Sequence, residues 1–371
     1  MVAIKGRAKT MRKWQAAITI GSSITGFLFA LCLHTQAQQA AAVTAPAWTD
    51  PANWKTATAA ETDNVVYATV PLIHNSSAAA SRDPGVPNGI RTPVPNTGPA
   101  GTMDLHLDVY QVASSRPAPV VIQIHGGGWI RGDRPDSSRS FGPFFAAGAS
   151  VVAVQYRNAI DAPAPAAIED VRCALAWVKA NANKYNFDPR RVIVWGGSAG
   201  GHLALMAAYA PASFTPKACS DQPKIVAVLD DYGPTNLAEG LTEHGSMDFT
   251  HQWLGLDLPL ATEVSFQEGP GRRAAPRWPE PSAALLAKAK AMSPLTYVRP
   301  DLPPTFIVNG DSDHTVDPSQ SAELKKALDE AYVPDGQYIV AGGGHGNFSP
   351  EEQQKSTLLS LEFLKAHGAI D

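Results

Sequence analysis

Ser198 sits in Gly196-Gly197-Ser198-Ala199-Gly200, between an apolar run at 191–195 and the helix-forming segment 201–208. Read physically, that is a buried strand, a sharp turn and a helix. A serine at the apex is held in a strained backbone conformation, and its hydroxyl stands at a helix N-terminus, where free N–H groups favour developing negative charge. The chemistry that suits it is nucleophilic attack on a carbonyl, which requires a base for the hydroxyl and a group that orients the base. The competing reading is a Gly-rich phosphate-binding turn with an incidental serine. Downstream, the apolar run 304–308 is followed by Asn309-Gly310-Asp311-Ser312-Asp313-His314, and the run 336–340 by Ala341-Gly342-Gly343-Gly344-His345-Gly346. His345 is the expected base, because glycines on both sides let the loop bring its imidazole over Ser198; the plainer alternative is a histidine that caps a turn. Three acids stand near the second position, Asp311, Asp313 and Asp317. Asp311 suits an Asx-type turn, and Asp317 could cap a helix beginning near Ser319. A further run, 119–124, ends in His125-Gly126-Gly127-Gly128-Trp129, whose backbone N–H groups can approach a ligand oxygen closely.

The elements that must position these groups follow from hydropathy. Residues 119–124 form a nearly continuous apolar run, as a parallel strand buried on both faces should, and 150–156, 191–195, 224–230, 304–308 and 336–340 read as further strands. Helical patterns separate them: 141–147, 166–181 (with Ile168, Val171, Leu175 and Val178 on one face), 319–330 and 350–366. Such alternation predicts an α/β fold with a mostly parallel, doubly wound sheet. Residues 103–110 alternate apolar and polar, predicting a half-exposed strand. After Asp230 the pattern breaks. Residues 232–292 are predicted to be a cap-like insertion over the strand C-terminal ends, without a buried strand and with one Ala/Lys helix at 283–291.

Composition bounds the partners. The 371 residues carry 30 Lys and Arg against 34 Asp and Glu. Five of the basic residues fall in the first 37, so 25 basic and 34 acidic groups remain, a net charge of −9 that argues against nucleic acid or an anionic membrane. Residues 1–37 read as a signal peptide: a basic stretch to Lys13, an apolar stretch at 18–33 and small residues before Gln38. The alternative is an uncleaved anchor; the small residues favour cleavage, hence a periplasmic or secreted protein without stable membrane association. Residues 38–100 are expected to be an extended lead-in with one strand at 64–70, and 101–371 the catalytic domain. Cys32 would leave with the leader; Cys173 and Cys219 either pair or stay as two buried thiols, and spacing does not decide.

The runs His125–Trp129, Gly196–Ala204, Asp231-Tyr232-Gly233-Pro234 and Gly310-x-x-Asp313 together resemble the α/β-hydrolase esterases of the hormone-sensitive-lipase and bacterial feruloyl- and acetylxylan-esterase-like (BD-FAE) groups. The similarity spans roughly residues 104–367, while the segment 258–291 is longer than the usual connection and 38–100 has no counterpart. The resemblance implies an α/β-hydrolase fold, a triad of Ser198, Asp313 and His345, and an oxyanion hole of Gly127, Gly128 and Ala199. It also implies hydrolysis of short-chain acyl esters, some on plant cell-wall carbohydrate, with no cofactor and no metal. Trp129, adjoining the oxyanion loop, is expected to border the substrate; Trp253 and Trp278 are weaker candidates. His202, Asp170 and Arg172 are expected to be structural, and Glu243, His244 and His251 lack metal-ligand spacing. Rival readings are an arylformamidase or amidase of the same fold and a non-catalytic binding protein. Oligomeric state is not legible.

Overall fold

The computed structural model describes residues 45–72, 101–134, 140–241, 247–255, 265–269, 272–277 and 281–371. The expected signal peptide at 1–37 lies outside them, as do Glu243, His244 and Trp278. Eight strands form one sheet, β1 (Ala60–Pro71), β2 (Thr102–Gln111), β3 (Ala118–Ile124), β4 (Ser150–Val154), β5 (Phe187–Gly197), β6 (Ile225–Asp231), β9 (Thr305–Gly310) and β10 (Asp335–Val340), in the order β1-β2-β4-β3-β5-β6-β9-β10. The pairs β1·β2 and β2·β4 are antiparallel, and the six strands from β4 to β10 in that order run parallel. The chain has the α/β-hydrolase fold.

Period-two alternation divides each central strand between two cores. Val120, Ile122 and Ile124 of β3 and Val192 and Val194 of β5 face one cluster, completed by Ile168, Val171, Leu175 and Leu203. These come from α2 (Ala166–Ala180) and α3 (Ala199–Tyr209). Val121, Ile193 and Trp195 face the other, with Phe144, Leu361 and Leu364 from α1 (Gly142–Ala146) and α8 (Pro350–Ala366). Both faces are covered, so these strands lack a polar side. Between α2 and the sheet, α3 is buried nearly all round.

Two expectations need correction. β2 is not half-exposed: Asp104, His106 and Asp108 are buried. β1 pairs along it, and the polar side chains find partners there, Asp104 accepting from Thr69 Oγ1 at 2.6 Å and Asp108 from the Asn64 N–H at 2.8 Å. The lead-in, where described, is part of the fold. Its two 3-10 turns, Ala47–Thr49 and Pro51–Lys55, bury Trp48 in the α1/α8 cluster.

The insertion after β6 contains α4 (Leu237–Gly240), α5 (Met247–Trp253), an antiparallel hairpin of β7 (Ser265–Gly269) and β8 (Arg272–Arg277), and α6 (Ala283–Ala291). The hairpin has no counterpart in the hydropathy pattern. The last core helix before α8 is α7 (Pro318–Glu330). Cys173 of α2 and Cys219 form a disulfide across 46 residues, which settles the open alternative in favour of pairing.

Candidate active site

β5 ends at Gly197 and α3 begins at Ala199, leaving Ser198 alone at φ 56°, ψ −126°. A non-glycine residue reaches that region at a cost of about 1–3 kcal/mol, and the neighbourhood must hold it there. It does so at both ends. The Ser198 N–H donates to the Asp231 carbonyl at the end of β6, and the Ser198 carbonyl accepts from the His202 N–H one turn into α3. Gly200 makes the turn compatible with the neighbouring strand, because a Cβ there would strike the carbonyls of Ile124 and His125 at the end of β3.

The loops after β9 and β10 complete a chain of hydrogen bonds. His345 Nε2 lies 2.8 Å from Ser198 Oγ, and Nδ1 lies 2.7 Å from Asp313 Oδ2. Asp313 is buried, and its other oxygen accepts the N–H groups of Thr315 and Val316 at 2.7 and 3.1 Å, so one oxygen is fixed by backbone and the other is left for the imidazole. The other two acids act locally. Asp311 accepts from the Gly342 N–H, and Asp317 caps α7 through the Ser319 N–H at 2.9 Å. Of the three acids the sequence offers, only Asp313 meets His345 among the described residues. The line Ser198–His345–Asp313 thus joins the ends of β5, β10 and β9 respectively, and 147 residues separate serine from imidazole.

On the other side of Ser198 runs the glycine loop. A Cβ on Gly126 would stand 2.8 Å from the Gly197 carbonyl and 3.5 Å from Ser198 Cβ, so the loop lies directly against the turn. Gly127 and Gly128 have φ 117° and 62°, and Ala199 is the first residue of α3, where helix geometry provides no internal acceptor for its N–H. His125 anchors the loop, stacked on Tyr156 at 4.2 Å while the Tyr156 hydroxyl donates to its carbonyl at 3.0 Å.

Trp129 does not border a cleft. It is 2% exposed, stacked on Trp253 at 4.8 Å, and donates its indole N–H to His202 Nδ1 at 3.2 Å. The indole packs behind the glycine loop and fixes it, and the insertion supplies the other half of the stack through α5. His202 is fully buried and its Nε2 lies 2.8 Å from the Met292 carbonyl. Burial pushes its pKa down to about 4, so it is neutral, with Nε2–H donating and Nδ1 accepting. Asp230, under the turn, is driven well above the usual carboxylate range by burial first and by Asp231 second; one oxygen accepts the Gly233 N–H at 3.0 Å.

Hydropathy gave no sign of two further neighbours. Phe249 of α5 stands over Gly128, where a Cβ would meet its ring at 2.8 Å. Tyr232 lies edge-on to His345 at 4.9 Å. Asp231-Tyr232-Gly233-Pro234 marked the loop as a motif, but no spacing rule connects Tyr232 with His345 or Phe249 with Gly128. Asp170 and Arg172 are structural: Asp170 receives Arg157 through Nε and a terminal nitrogen, and Arg172 donates to carbonyls at the C-terminal end of α3.

Comparison with known proteins agrees with this architecture. Esterase LipQ of Mycobacterium tuberculosis is 29% identical over 280 residues, covering 74% of this chain and 61% of LipQ. The probable carboxylic ester hydrolase LipM of the same organism is 30% identical over 224 residues, covering 58% and 47%. The chain thus spans about half to three-fifths of the length of these relatives. Among solved structures, a truncated carbohydrate esterase from gut microbiota superposes with a TM-score of 0.58 at 23% identity, covering 83% of this chain and 98% of that one. Propionate-bound esterase 2 of Thermogutta terrifontis gives 0.56 at 24% identity, covering 72% and 91%. The glycine loop, the Ser198 turn and Asp313 all fall within residues 107–270 and 275–328, which match the BD-FAE family model, and the chain is a member of that family of α/β-hydrolases.

Proposed function

We propose that this protein is an exported serine esterase that hydrolyses short-chain acyl esters, with esters of plant cell-wall carbohydrate as the finer substrate class. The observation that carries the reading is the unbroken line from Ser198 Oγ through His345 to Asp313. His345 Nε2 takes the hydroxyl proton as Oγ bonds to the carbonyl carbon, and the carbonyl π pair moves to oxygen. Amides of Gly127, Gly128 and Ala199 receive that oxyanion. On collapse the ester C–O bond breaks, the alcohol leaves with the proton from His345, and Ser198 is acylated. Water then repeats the sequence: His345 removes its proton, the acid departs and Ser198 regains its hydrogen. Asp313 keeps Nδ1 protonated and steadies the imidazolium. The named ester hydrolases among the relatives support the reaction type, and the carbohydrate esterase among the structural neighbours is consistent with the substrate class. The composition of residues 1–37 and the Cys173–Cys219 disulfide support export.

Ser198→Ala is expected to abolish hydrolysis of p-nitrophenyl acetate and labelling by a fluorophosphonate probe while leaving the melting transition in place. Retained turnover would overturn the mechanism, and failure of the native chain to label or turn over would leave a non-catalytic binding protein. A panel of p-nitrophenyl esters with acetylated xylan and methyl ferulate reads the substrate class. N-terminal sequencing of protein recovered outside the cytoplasm is expected to start at Gln38.

A further inference from the structure

Three non-glycine residues at positive φ lie beyond the ends of the strands that surround the site: Trp129 after β3 (φ 60°), Ser198 after β5 (φ 56°) and Tyr232 after β6 (φ 47°). The nucleophile's turn accounts for Ser198, and the stack behind the glycine loop accounts for Trp129. A bulky side chain in that region is an outlier, and Tyr232 has no such turn or stack of its own. The next residue is a glycine, Gly233, yet its φ is not in the left-handed region; it clears the Asp230 side-chain oxygen, which a Cβ would meet at 2.4 Å. The strain is thus carried by a tyrosine, beside a residue type that carries it without steric cost.

The peptide joining Asp231 to Tyr232 is pinned on both sides. Its carbonyl accepts the Ser198 N–H at 2.8 Å, and its N–H donates to the Val308 carbonyl of β9 at 2.6 Å. With that peptide fixed, φ at 232 sets the direction in which the phenol leaves the backbone. The loop after β10 folds about it. The His345 ring lies 4.9 Å from the Tyr232 ring at 63°, the Phe348 ring lies 5.8 Å from it at 86°, and a Cβ on Gly346 would stand 2.5 Å from the phenol oxygen. Two hydrogen bonds, to Ser198 and Asp313, fix the line through the imidazole nitrogens but not the tilt of the ring about that line. In the proposed reaction Nε2 takes a proton from Oγ and hands it to the leaving alcohol oxygen, so the tilt decides how well Nε2 meets the second oxygen. We propose that Tyr232 is a positioning residue for the general base, its ring setting the tilt of the His345 imidazole. The inference rests on the serine-esterase reading, which assigns Tyr232 no role.

Tyr232→Gly and Tyr232→Asn place at this position two residue types suited to positive φ and remove the ring. Both are expected to melt close to the native protein, because relieved strain offsets lost packing. Their kcat for p-nitrophenyl acetate is expected to fall by about tenfold or more, with KM within about twofold of native. Tyr232→Phe keeps the ring and is expected to retain most of kcat. A second readout needs no substrate: the low-field proton NMR resonance of His345 Nδ1–H, whose acceptor is Asp313. It is expected to be sharp in native and Tyr232→Phe protein and broadened or shifted in the Gly and Asn variants. A native chain that shows the resonance without turnover removes the esterase reading, and the resonance then decides the role of Tyr232 alone. If one of the two variants lacking the ring melts far below native, the other carries the test; loss of the folded state in both overturns the proposal, the tyrosine then being structural. It is also overturned by an active native enzyme with a folded Gly or Asn variant within about twofold of it in kcat, or by a loss expressed in KM alone. An unchanged resonance in those variants, or a Tyr232→Phe variant as slow as Tyr232→Asn, overturns it equally.

Discussion

Asp311 and Asp313 stand two positions apart in one loop, yet their carboxylates do different work, and substitution separates them. Under the proposed mechanism Asp313→Asn removes the acceptor that fixes the His345 tautomer, so kcat for p-nitrophenyl acetate should fall by about 10⁴. Asp311→Asn weakens local contacts to the Gly342 N–H and the Ser312 hydroxyl and should cost far less. His202 sets a second test. Its carbonyl and indole partners require the neutral ring, and burial holds its pKa near 4 against an ordinary value of 6.5. Between those two values the unfolded chain holds a proton at His202 that the folded chain refuses, so stability rises with pH there. The contribution is complete above about pH 6.5 and is lost as pH falls to about 4, a change on the order of 3 kcal/mol. Chemical denaturation across that window is expected to show a shallower acid limb for His202→Gln than for the native chain.

At the scale of elements, the strand–turn–helix around Ser198 is held from the far end as well. Arg172 of α2 donates to the carbonyls of Met206, Ala207, Ala210 and Pro211, closing the C-terminal end of α3. Arg172→Ala leaves these groups buried without that donor and is expected to destabilise the protein by about 2–4 kcal/mol, read as a lowered denaturation midpoint. Nearby, the disulfide ties α2 to the Lys217–Cys219 turn; replacing both cysteines by Ser is expected to cost up to about 4 kcal/mol by loop entropy. The parallel strands and their helices were legible because a run such as 119–124 has no polar face to place anywhere but inside. His345 stood out because glycines flank it, and Asp313 because its spacing resembled a known loop. β2 was misread because its alternation of Asp, His and Asp with leucine and valine is what a solvated face looks like until another strand supplies partners. Trp129 was misplaced for a related reason: adjacency in sequence put it near the substrate, whereas its stacking partner, Trp253, is 124 positions away and invisible to any local rule. Gly128→Ala tests that packing, since it forces a Cβ against Phe249 at φ 62°; kcat should drop by about tenfold or more while KM moves less.

For the molecule as a whole, the two outer portions of the described chain share one core. Trp48 belongs to the same cluster as Leu361, Leu364 and Ile370. A chain that stops after Phe348 still contains Ser198, Asp313 and His345, but it lacks α8, which covers that face of the sheet. Such a truncation is expected to give no cooperative melting transition and no esterase activity, although every proposed catalytic side chain is present.

That shared core also orders events during synthesis. Ser198 leaves the ribosome 147 residues before His345, and the apolar face that steadies the sheet is still unsealed when the imidazole emerges. Under the proposed mechanism a growing chain is therefore expected to be chemically silent, its Ser198 hydroxyl an ordinary alcohol until the closing helix arrives.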